Sequence, residues 1–398
     1  MIDRERMTTF VLALMRTDSH SKDEAAVAQL VCEALRAAGA DVRVDDAGRA
    51  VGGNSGNVIA RLPATDPSAA PLLLCAHLDT VTPGAGVKPA REDGRIRSDG
   101  TTILGGDDKS GVAVIVEVLR VLAELRPPHG EIEAVFTICE EAGLLGAKHL
   151  DVSFLHSREA LVLDAPASTQ LVVKAPAADR FEFVVHGLES HAGMAPEAGI
   201  SAVRVAAEAI AAMPLGRIDE ITTSNVVIAA GNGPINVVPN RCVIQGEARS
   251  HDVARLEAAM SAIRRALQDA ASRHVVTVRG KTVRAWIEER CEREYDAMNV
   301  PVDAPIVKLL SDAARDLGRP LHTVTIGGGS DANVFNARGI PALILGTGMR
   351  EIHTVNEWLD LEDFYACAEL VMRAVTLRAS RGAGQLEGRV PASERASA

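Results

Sequence analysis

Imidazole and carboxylate side chains recur at the carboxyl ends of apolar segments in this sequence. Leu72–Asp79 (LLLCAHLD) ends in His and Asp, and Glu131–Glu141 (EIEAVFTICEE) ends in two glutamates. Ala160–Asp164 (ALVLD) ends in Asp, and the apolar segment 341–346 leads into His353. Because ligands of open α/β sheets gather at the carboxyl edge of the strands, this recurrence predicts a metal-binding or catalytic site.

Two adjacent aspartates lie in a further segment, Leu104–Gly111 (LGGDDKSG), between a glycine turn and an apolar stretch with helical character, 112–125. A carboxylate held by such a turn is poorly shielded and points into open space. The aspartates could instead cap the helix by accepting hydrogen bonds from its first N–H groups, or complement its dipole. The segment alone leaves these interpretations open, and the strand ends around it favour the metal-binding one.

Neighbouring polar residues at two strand ends suggest that one residue of each pair binds a metal and the other has a supporting role. His77 and Asp79 are two residues apart, so both side chains point the same way on a strand. A metal-bound His usually donates its second ring N–H to a carboxylate, a role that Asp79 could fill; a purely structural His–Asp pair is the alternative. Glu140 and Glu141 point in different directions, so one can bind a metal while the other faces a bound water.

The candidate ligands share a chemistry of nitrogen and oxygen donors without thiolates. Such a set, with one shared carboxylate, suits two metal ions about 3.5–4 Å apart. It favours Zn²⁺, with Mn²⁺ or Co²⁺ as alternatives. The candidate ligands are His77, Asp107, Glu141, Asp164 and His353, supported by Asp79 and Glu140.

Composition and charge limit the classes of function. The chain has 398 residues, enough for two or three domains, and a net charge of −11, which argues against a nucleic-acid partner. No apolar stretch reaches membrane-spanning length, and the N-terminal residues lack the pattern of a signal peptide, so we expect a cytoplasmic protein without a membrane partner. The six cysteines are widely spaced, which predicts reduced core thiols.

The order of the predicted elements indicates an α/β protein with an insertion. Helix and strand patterns alternate up to Asp164 and again after Pro301, which predicts a mixed, largely parallel sheet with helices on both faces. Between them, a β-α-β-β-α-β order, whose last strand is predicted from Val275 into the 280s, predicts an inserted α+β domain of the split βαβ, ferredoxin-like kind. The predicted organisation is a catalytic domain in two parts, a lid or dimerisation domain between them, and a disordered tail (1–176 and 291–380, 177–290, and 381–398).

The motifs together resemble one family, the co-catalytic dizinc peptidases that include peptidase T, carboxypeptidase G and aminoacylase. The segment DGTTILGGDDKSG is most similar to the peptidase T branch. The motifs that carry the resemblance, in the order of the family, are HLDTV at 77–81, LGGDDKSG at 104–111, CEE at 139–141, LD at 163–164 and HTVNE at 353–357.

The resemblance implies a role for each candidate. One zinc would be held by His77, Asp107 and Asp164. The other would be held by Asp107, Glu141 and His353, so that Asp107 bridges the two. Asp79 would orient His77. Glu140 would be the general base that deprotonates a zinc-bound water, whose pKa is lowered towards about 7.

Five further residues are implied at the substrate end. His191, in the segment SHAG, resembles a lid histidine that acts on the oxyanion, often from the partner subunit; a plain surface histidine is the alternative. Asn236 and Arg249 resemble lid residues that hold polar groups of the substrate, and Arg suits a carboxylate. Gly328 and Ser330 lie where a glycine-rich loop opens a helix, whose free N–H groups can receive a carboxylate; a simple turn is the alternative.

These implications predict a zinc-dependent exopeptidase that cleaves short peptides, a tripeptide aminopeptidase that forms a homodimer through its lid domain. The alternatives are an amidohydrolase of the same family, either a carboxypeptidase or an N-acyl-amino-acid deacylase, and a non-catalytic metal-binding protein. Asp164 is followed by Ala165 and Pro166, where peptidase T has glycines. The lid sequence is only distantly similar to that of peptidase T, so the peptide preference stays open.

Overall fold

A computed structural model describes residues 1–387, which divide into two compact units. Unit 1 contains Met1–Val173, Asn299–Thr325 and the segment that begins at Ser330. Unit 2 contains Lys174–Met298 and Ile326–Gly329. Unit 2 is therefore an insertion in the sequence of unit 1, and its predicted role as a lid stays a prediction.

The elements are numbered in chain order, and two short 3₁₀ helices, Val152–Phe154 and Pro196–Ala198, accompany them. The α-helices are α1 (Arg4–Met15), α2 (Ala25–Ala37), α3 (Ala47–Val51), α4 (Gly106–Leu125), α5 (Leu145–His149), α6 (Ala202–Ala212), α7 (Val253–Arg273), α8 (Pro305–Asp316), α9 (Asp331–Ala337) and α10 (Leu361–Glu387). The strands are β1 (Asp41–Val44), β2 (Val58–Leu62), β3 (Leu72–His77), β4 (Ala90–Glu92), β5 (Arg95–Arg97), β6 (Ile132–Thr137), β7 (Ala160–Ala165), β8 (Gln170–Ala175), β9 (Ala177–His186), β10 (Gly216–Arg217), β11 (Thr222–Gly231), β12 (Arg241–Ser250), β13 (Val275–Val278), β14 (Lys281–Arg284), β15 (Trp286–Tyr295), β16 (Met298–Asn299), β17 (His322–Thr325), β18 (Ala342–Gly346), β19 (Met349–Arg350) and β20 (Trp358–Asp360).

The main sheet is mixed and parallel at its centre. Its strand order is β1-β2-β6-β3-β7-β18-β8-β16, and β17 pairs with β8. The neighbours β6, β3, β7 and β18 are mutually parallel, whereas β2 and β8 pair with this group in the antiparallel sense. The predicted fold class is confirmed. Because parallel strands run the same way, the carboxyl ends of β3, β6, β7 and β18 meet at one edge of the sheet.

Helices cover both faces of this sheet. Leu72, Leu74 and Ala76 of β3 belong to the main hydrophobic core, which also contains most of α4. Cys75 points to the other face, where its Sγ lies 3.9 Å from a carboxylate oxygen of Asp331, the first residue of α9. The alternation of side chains along a strand explains this division. Helix α4 is apolar nearly all round, as expected for a helix buried inside a domain.

Unit 1 also contains a small sheet. It has the order β19-β20-β5-β4. The β19–β20 loop carries His353, and this strand pairing fixes both ends of that loop.

Unit 2 contains an antiparallel sheet with the order β10-β11-β12-β9-β15, and α6 and α7 pack on one face of it. Phe181, Phe183 and Val185, alternate residues of β9, contribute to the second hydrophobic core. The element order β9-α6-β11-β12-α7-β15 is the split βαβ order that the sequence predicts. The predicted last strand, from Val275 into the 280s, is wrong: that segment forms the β13–β14 hairpin, and the sheet ends with β15.

Three further predictions concern the cysteines, the C-terminal segment and membrane-spanning helices. All six cysteines are free and five of them are buried, which agrees with reduced core thiols. Helix α10 continues to Glu387, so residues 381–387, predicted to belong to a disordered tail, are helical. The rest of the predicted tail, 388–398, lies outside the described residues. Among the described helices, none combines the length and the apolar character needed to cross a membrane.

Candidate active site and metal-binding cluster

Asp107 lies between two imidazoles at the carboxyl edge of the main sheet. Its Oδ1 is 3.0 Å from Nε2 of His77, the last residue of β3. Its Oδ2 is 3.1 Å from Nε2 of His353, in the β19–β20 loop. The same His353 nitrogen is 2.9 Å from Oε1 of Glu141, which follows β6. One carboxylate therefore joins ligand-type groups from separate parts of the chain.

The five predicted ligands form two overlapping groups. His77, Asp107 and Asp164 each offer one donor atom, and these atoms lie within 4.8 Å of one another. Asp107, Glu141 and His353 form a second group on the same criterion. Asp107 is the residue that both groups share, which is the arrangement that a bridging carboxylate requires. The ligand roles of these residues remain a proposal.

Close packing of α4 against β7 brings Asp164 near Asp107. Gly111, in the first turns of α4, has no side chain, and a Cβ atom there would lie 2.4 Å from the carbonyl oxygen of Leu163. Gly105 has a left-handed backbone with φ of 73°, which favours glycine. The glycines of the LGGDDKSG segment thus allow the turn and the close approach that set the position of Asp107.

Burial and mutual repulsion dominate the electrostatics of the cluster. Burial raises the pKa of Glu140 and Asp164 well above the usual range, and neighbouring carboxylates add to the effect. Burial alone would lower the pKa of His77, but hydrogen bonds to Asp107 and Asp79 raise it well above its ordinary value. Hydrogen bonds to Asp107 and Glu141 raise the pKa of His353 to about 10.

The donor set fits divalent cations. The two groups consist of imidazole nitrogens and carboxylate oxygens only, which are ligands that Zn²⁺, Mn²⁺ and Co²⁺ accept. Burial is the main cause of the raised pKa values of Glu140 and Asp164, and repulsion by neighbouring carboxylates adds to it. Cations between them would remove that repulsion. The residues at this edge can therefore hold two metal ions that share Asp107.

Asp79 has more partners than the sequence suggests. Its Oδ1 accepts the backbone N–H of Glu140 at 2.9 Å, and its Oδ2 accepts that of Glu141 at 3.2 Å. The hydroxyl of Ser21 donates to Oδ2 at 2.6 Å. His77 Nδ1 is 2.9 Å from the backbone carbonyl of Asp79 and 3.5 Å from its carboxylate. Asp79 thus holds the turn that presents both glutamates, besides contacting His77.

The capping interpretation applies to Asp108, the second aspartate of the pair. Its Oδ1 accepts the backbone N–H of Gly111 at 3.1 Å, at the start of α4. Its Oδ2 accepts the backbone N–H of His77 at 3.2 Å. Asp108 therefore caps the helix and ties it to the end of β3, while its neighbour Asp107 is left to face the imidazoles.

Three further buried carboxylates, which are not among the predicted site residues, surround the cluster. Glu24 accepts the backbone N–H of Cys139 at 3.0 Å, next to the turn of Glu140. Glu357 accepts three backbone N–H groups of the segment that leads into α4. Asp331 accepts the hydroxyl of Thr137 at 2.5 Å, while its buried Oδ1 has no hydrogen-bond partner. Of these three residues, only Glu357 could have been found from the sequence, because it is the last residue of the HTVNE motif.

Four of the predicted substrate-end residues lie in unit 2: His191, Asn236, Arg249 and Gly328. His191 is exposed, and its Nδ1 accepts backbone N–H groups of Gly193 and Met194 at 3.2 Å each. The backbone carbonyl of Asn236 accepts the N–H of Ala192 at 2.9 Å, so His191 and Asn236 lie on adjoining segments.

The guanidinium of Arg249 is already engaged. It makes two hydrogen bonds to the carboxylate of Glu247, at 2.9 and 3.0 Å, and a longer one to Gly327. A substrate carboxylate would have to compete with Glu247 for the N–H donors of this guanidinium group.

The loop before α9 provides the last two predicted residues. Ser330 is the N-cap of α9, and its hydroxyl accepts the backbone N–H of Ala332 at 3.2 Å in a capping box. Its side chain is therefore used within the helix start. Gly328 is partly buried in the same loop. Substrate binding by Gly328 and Ser330 stays a prediction.

Comparison with known proteins gives consistent results. A family model described as Peptidase family M20/M25/M40 matches residues 73–377. The uncharacterized protein YqjE of Bacillus subtilis is 37% identical over 376 residues, which cover 94% of this chain and 99% of that protein. The crystal structure of the aminopeptidase PepT from Bacillus cereus is 37% identical with a TM-score of 0.85, covering 95% of this chain and 99% of that chain. That of a tripeptidase from Staphylococcus aureus is 34% identical with a TM-score of 0.88, covering 96% of this chain and 100% of that chain.

The shared position of Asp107 gives a test of cation binding. The wild-type chain is expected to bind about two equivalents of Zn²⁺ and to unfold at a higher temperature when they are added. Asp107→Ala should weaken both equivalents, whereas Asp164→Ala should weaken only one, since Asp164 belongs to one group. Isothermal titration calorimetry and elemental analysis after dialysis measure both quantities.

The matched control is Glu362→Gln, because Glu362 is exposed and pairs with Arg4 away from the cluster. It should bind cations like the wild type. Equal losses in the Asp107 and Asp164 variants would contradict the shared role of Asp107.

Proposed function

The chain belongs to peptidase family M20/M25/M40, and from this membership we propose that it is a dizinc exopeptidase of short peptides, most closely a tripeptide aminopeptidase. The family predicted from the motifs is confirmed, and the chain is a hydrolase of peptide bonds. The observation that carries the finer proposal is the position of Asp107 between His77 and His353. The aminopeptidase and tripeptidase similarities, both above 30% identity, support the choice of substrate.

In this proposal the two groups around Asp107 each hold one cation. His77, Asp107 and Asp164 hold the first, and Asp107, Glu141 and His353 hold the second. Zn²⁺ is the proposed metal, and Mn²⁺ or Co²⁺ would suit the same donors. When bound, the cations supply a Lewis acid for the peptide carbonyl and lower the pKa of a water molecule.

Glu140 is the proposed general base. It is buried, follows β6 directly and lies with His77 and Glu141 in one group of donor atoms within 4.8 Å. Its carboxylate would take a proton from the attacking water and give it to the departing amine. Asp79, through its hydrogen bonds to the backbone of Glu140 and Glu141, holds this carboxylate in place.

A homodimer through unit 2 is part of the proposal. Strand β10 pairs only with residues 223–224 of β11, and no described strand covers the outer edge of β11 from Asn225 to Gly231. Val227 on this edge is 70% exposed. Val203, Ala207 and Ala211 of α6 are exposed at steps of four, which forms an apolar stripe.

An open strand edge beside an apolar helix stripe fits a second copy of the same chain. The two edges would pair antiparallel about a twofold axis, and the stripes would cover each other. His191 would then complete the site of the partner subunit by stabilising the oxyanion.

Glu140→Gln tests the chemistry. The variant should retain about two cations, since Gln at this position leaves both groups around Asp107 intact. It should lose a hundredfold or more in turnover, which is about the scale of general-base catalysis. Steady-state hydrolysis of a tripeptide, with metal analysis of the same sample, measures both.

Glu131→Gln is the control for this change, because Glu131 lies before the other end of β6 and pairs with His156. It should hydrolyse the tripeptide at nearly the wild-type rate. Wild-type turnover in Glu140→Gln would remove Glu140 from the mechanism.

A panel of peptides tests the direction of cleavage. Tripeptides with a free amino terminus should be cleaved at their first peptide bond. N-acetylated versions should react at least about a hundredfold more slowly, because acetylation removes the positive charge and hydrogen-bond donors of the amine that an aminopeptidase has to recognise. Chromatography of the products identifies the bond that is broken. Preferred cleavage of N-acyl amino acids would indicate a deacylase, and release of the last residue would indicate a carboxypeptidase.

Mixing inactive chains tests the role of the dimer. If His191 acts across the interface, His191→Ala and Glu140→Gln chains should regain activity after mixing and subunit exchange, since a mixed dimer contains one complete site. About half of the wild-type activity is expected in mixed dimers, and about a quarter in an equimolar mixture after complete subunit exchange. Each variant incubated alone is the control. Exchanged dimers without activity would mean that each site uses its own chain only.

A further inference from the structure

Glu357 is a buried acidic residue without a role in the proposed reaction. It immediately precedes β20, and only 1% of its surface is exposed. Its Oε2 accepts the backbone N–H groups of Leu104 and Gly105 at 2.8 Å each, and its Oε1 accepts that of Asp107 at 3.0 Å. Both carboxylate oxygens are therefore used by the backbone of one short segment.

These N–H groups have no acceptor from regular secondary structure. The segment enters α4, and the first N–H groups of a helix lack partners within the helix. Gly105 is left-handed, and Asp107 has a non-helical ψ of 106°. The nearby buried ammonium of Lys109 does not occupy the carboxylate, since it donates to the carbonyl of Thr17 at 2.7 Å. Glu357 thus supplies the acceptors that this turn needs.

The segment that carries Glu357 also carries His353. The imidazole of His353 reaches the carboxylate of Asp107 at 3.1 Å, while Glu357 reaches the backbone N–H of the same residue at 3.0 Å. The two contacts involve different atoms of Asp107, and the two residues differ in burial: the His353 side chain is 48% exposed, whereas Glu357 is buried. A segment of five residues therefore fixes both the backbone and the carboxylate of Asp107.

We propose that Glu357 is a positioning residue that holds Asp107 in register with His353 and Glu141, and so sets the affinity of the cation that these three residues share. Glu357 is not itself in either group of donor atoms. The inference rests on the proposed function, because it assumes that the cluster binds cations. Residues that orient metal ligands typically contribute 10- to 100-fold in affinity, and we expect a loss of about this size when Glu357 is changed.

Two substitutions of Glu357 distinguish an effect of its position on zinc affinity from an effect of its charge. Glu357→Gln replaces one acceptor oxygen with an NH₂ group that faces a backbone N–H, so at least one of the three hydrogen bonds is lost. Glu357→Asp keeps the charge but is one methylene shorter and cannot reach all three N–H groups. Competition with a zinc-binding dye, on protein freed of metal by chelation, should show one of the two equivalents weakened by about 10- to 100-fold in both variants. The other equivalent, which Asp164 and His77 also hold, should change less.

Glu133→Gln is the matched control. Glu133 is also a fully buried glutamate on the main sheet, and it accepts two backbone N–H groups, of His156 and Ser157, besides pairing with Arg61. It lies near the amino end of β6, away from the cluster. Its loss should lower the melting temperature of the metal-free chain without changing either zinc affinity.

The outcomes distinguish this inference from the proposed function. Wild-type zinc affinity in Glu357→Gln overturns the inference alone, provided that the wild type binds two equivalents. An equal loss of affinity in Glu133→Gln overturns it in favour of general destabilisation. Full affinity in Glu357→Asp beside a loss in Glu357→Gln overturns it in favour of charge. A wild-type chain that binds no divalent cation overturns both the inference and the proposed function.

Discussion

Mutual repulsion among buried carboxylates is the constraint on which this structure depends. Where parallel strands end, Asp107 and Glu140 are buried and Asp164 is half-buried, each in a group of donor atoms that includes His77. An ionised carboxylate out of water is costly unless it is compensated. Two imidazoles offset part of that charge in the protein itself. The remaining negative charge is what bound cations would neutralise in the proposed function. The strands around the cluster are apolar because helices cover both faces of the sheet.

The turns that bear the functional side chains are held by other carboxylates through backbone N–H groups. Asp79 binds the Glu140 turn, Asp108 binds the end of β3, and Glu357 binds the entry to α4. Hydrogen bonds from N–H groups to charged acceptors are stronger than neutral ones, and each is directional. They can therefore hold loops, which are otherwise the most mobile parts of a fold, with the accuracy that a metal site needs.

Much of the site can be predicted from the sequence because each candidate follows an apolar strand. His77, Glu141 and Asp164 stand at or just after the end of such a strand. Asp107 is indicated by a different pattern, the pair of aspartates after a glycine turn. The partners of Asp79 cannot be predicted in this way, since they lie about sixty residues away and depend on how β3 and β6 pair. The strand β15 was missed because the β13–β14 hairpin precedes it with a similar pattern. The sequence does not indicate that Arg249 pairs with Glu247, because this contact depends on two side chains that share one face of β12.

The distance along the chain between Asp107 and Glu357, 250 residues, also has a consequence for biosynthesis. During translation the first half of the protein would leave the ribosome with its aspartates and glutamates already made but with neither His353 nor Glu357 to organise them. Long-range contacts of this kind form late in folding, and domains tend to fold as they emerge. A nascent or truncated chain that lacks His353 and Glu357 would therefore not have the complete cluster around Asp107.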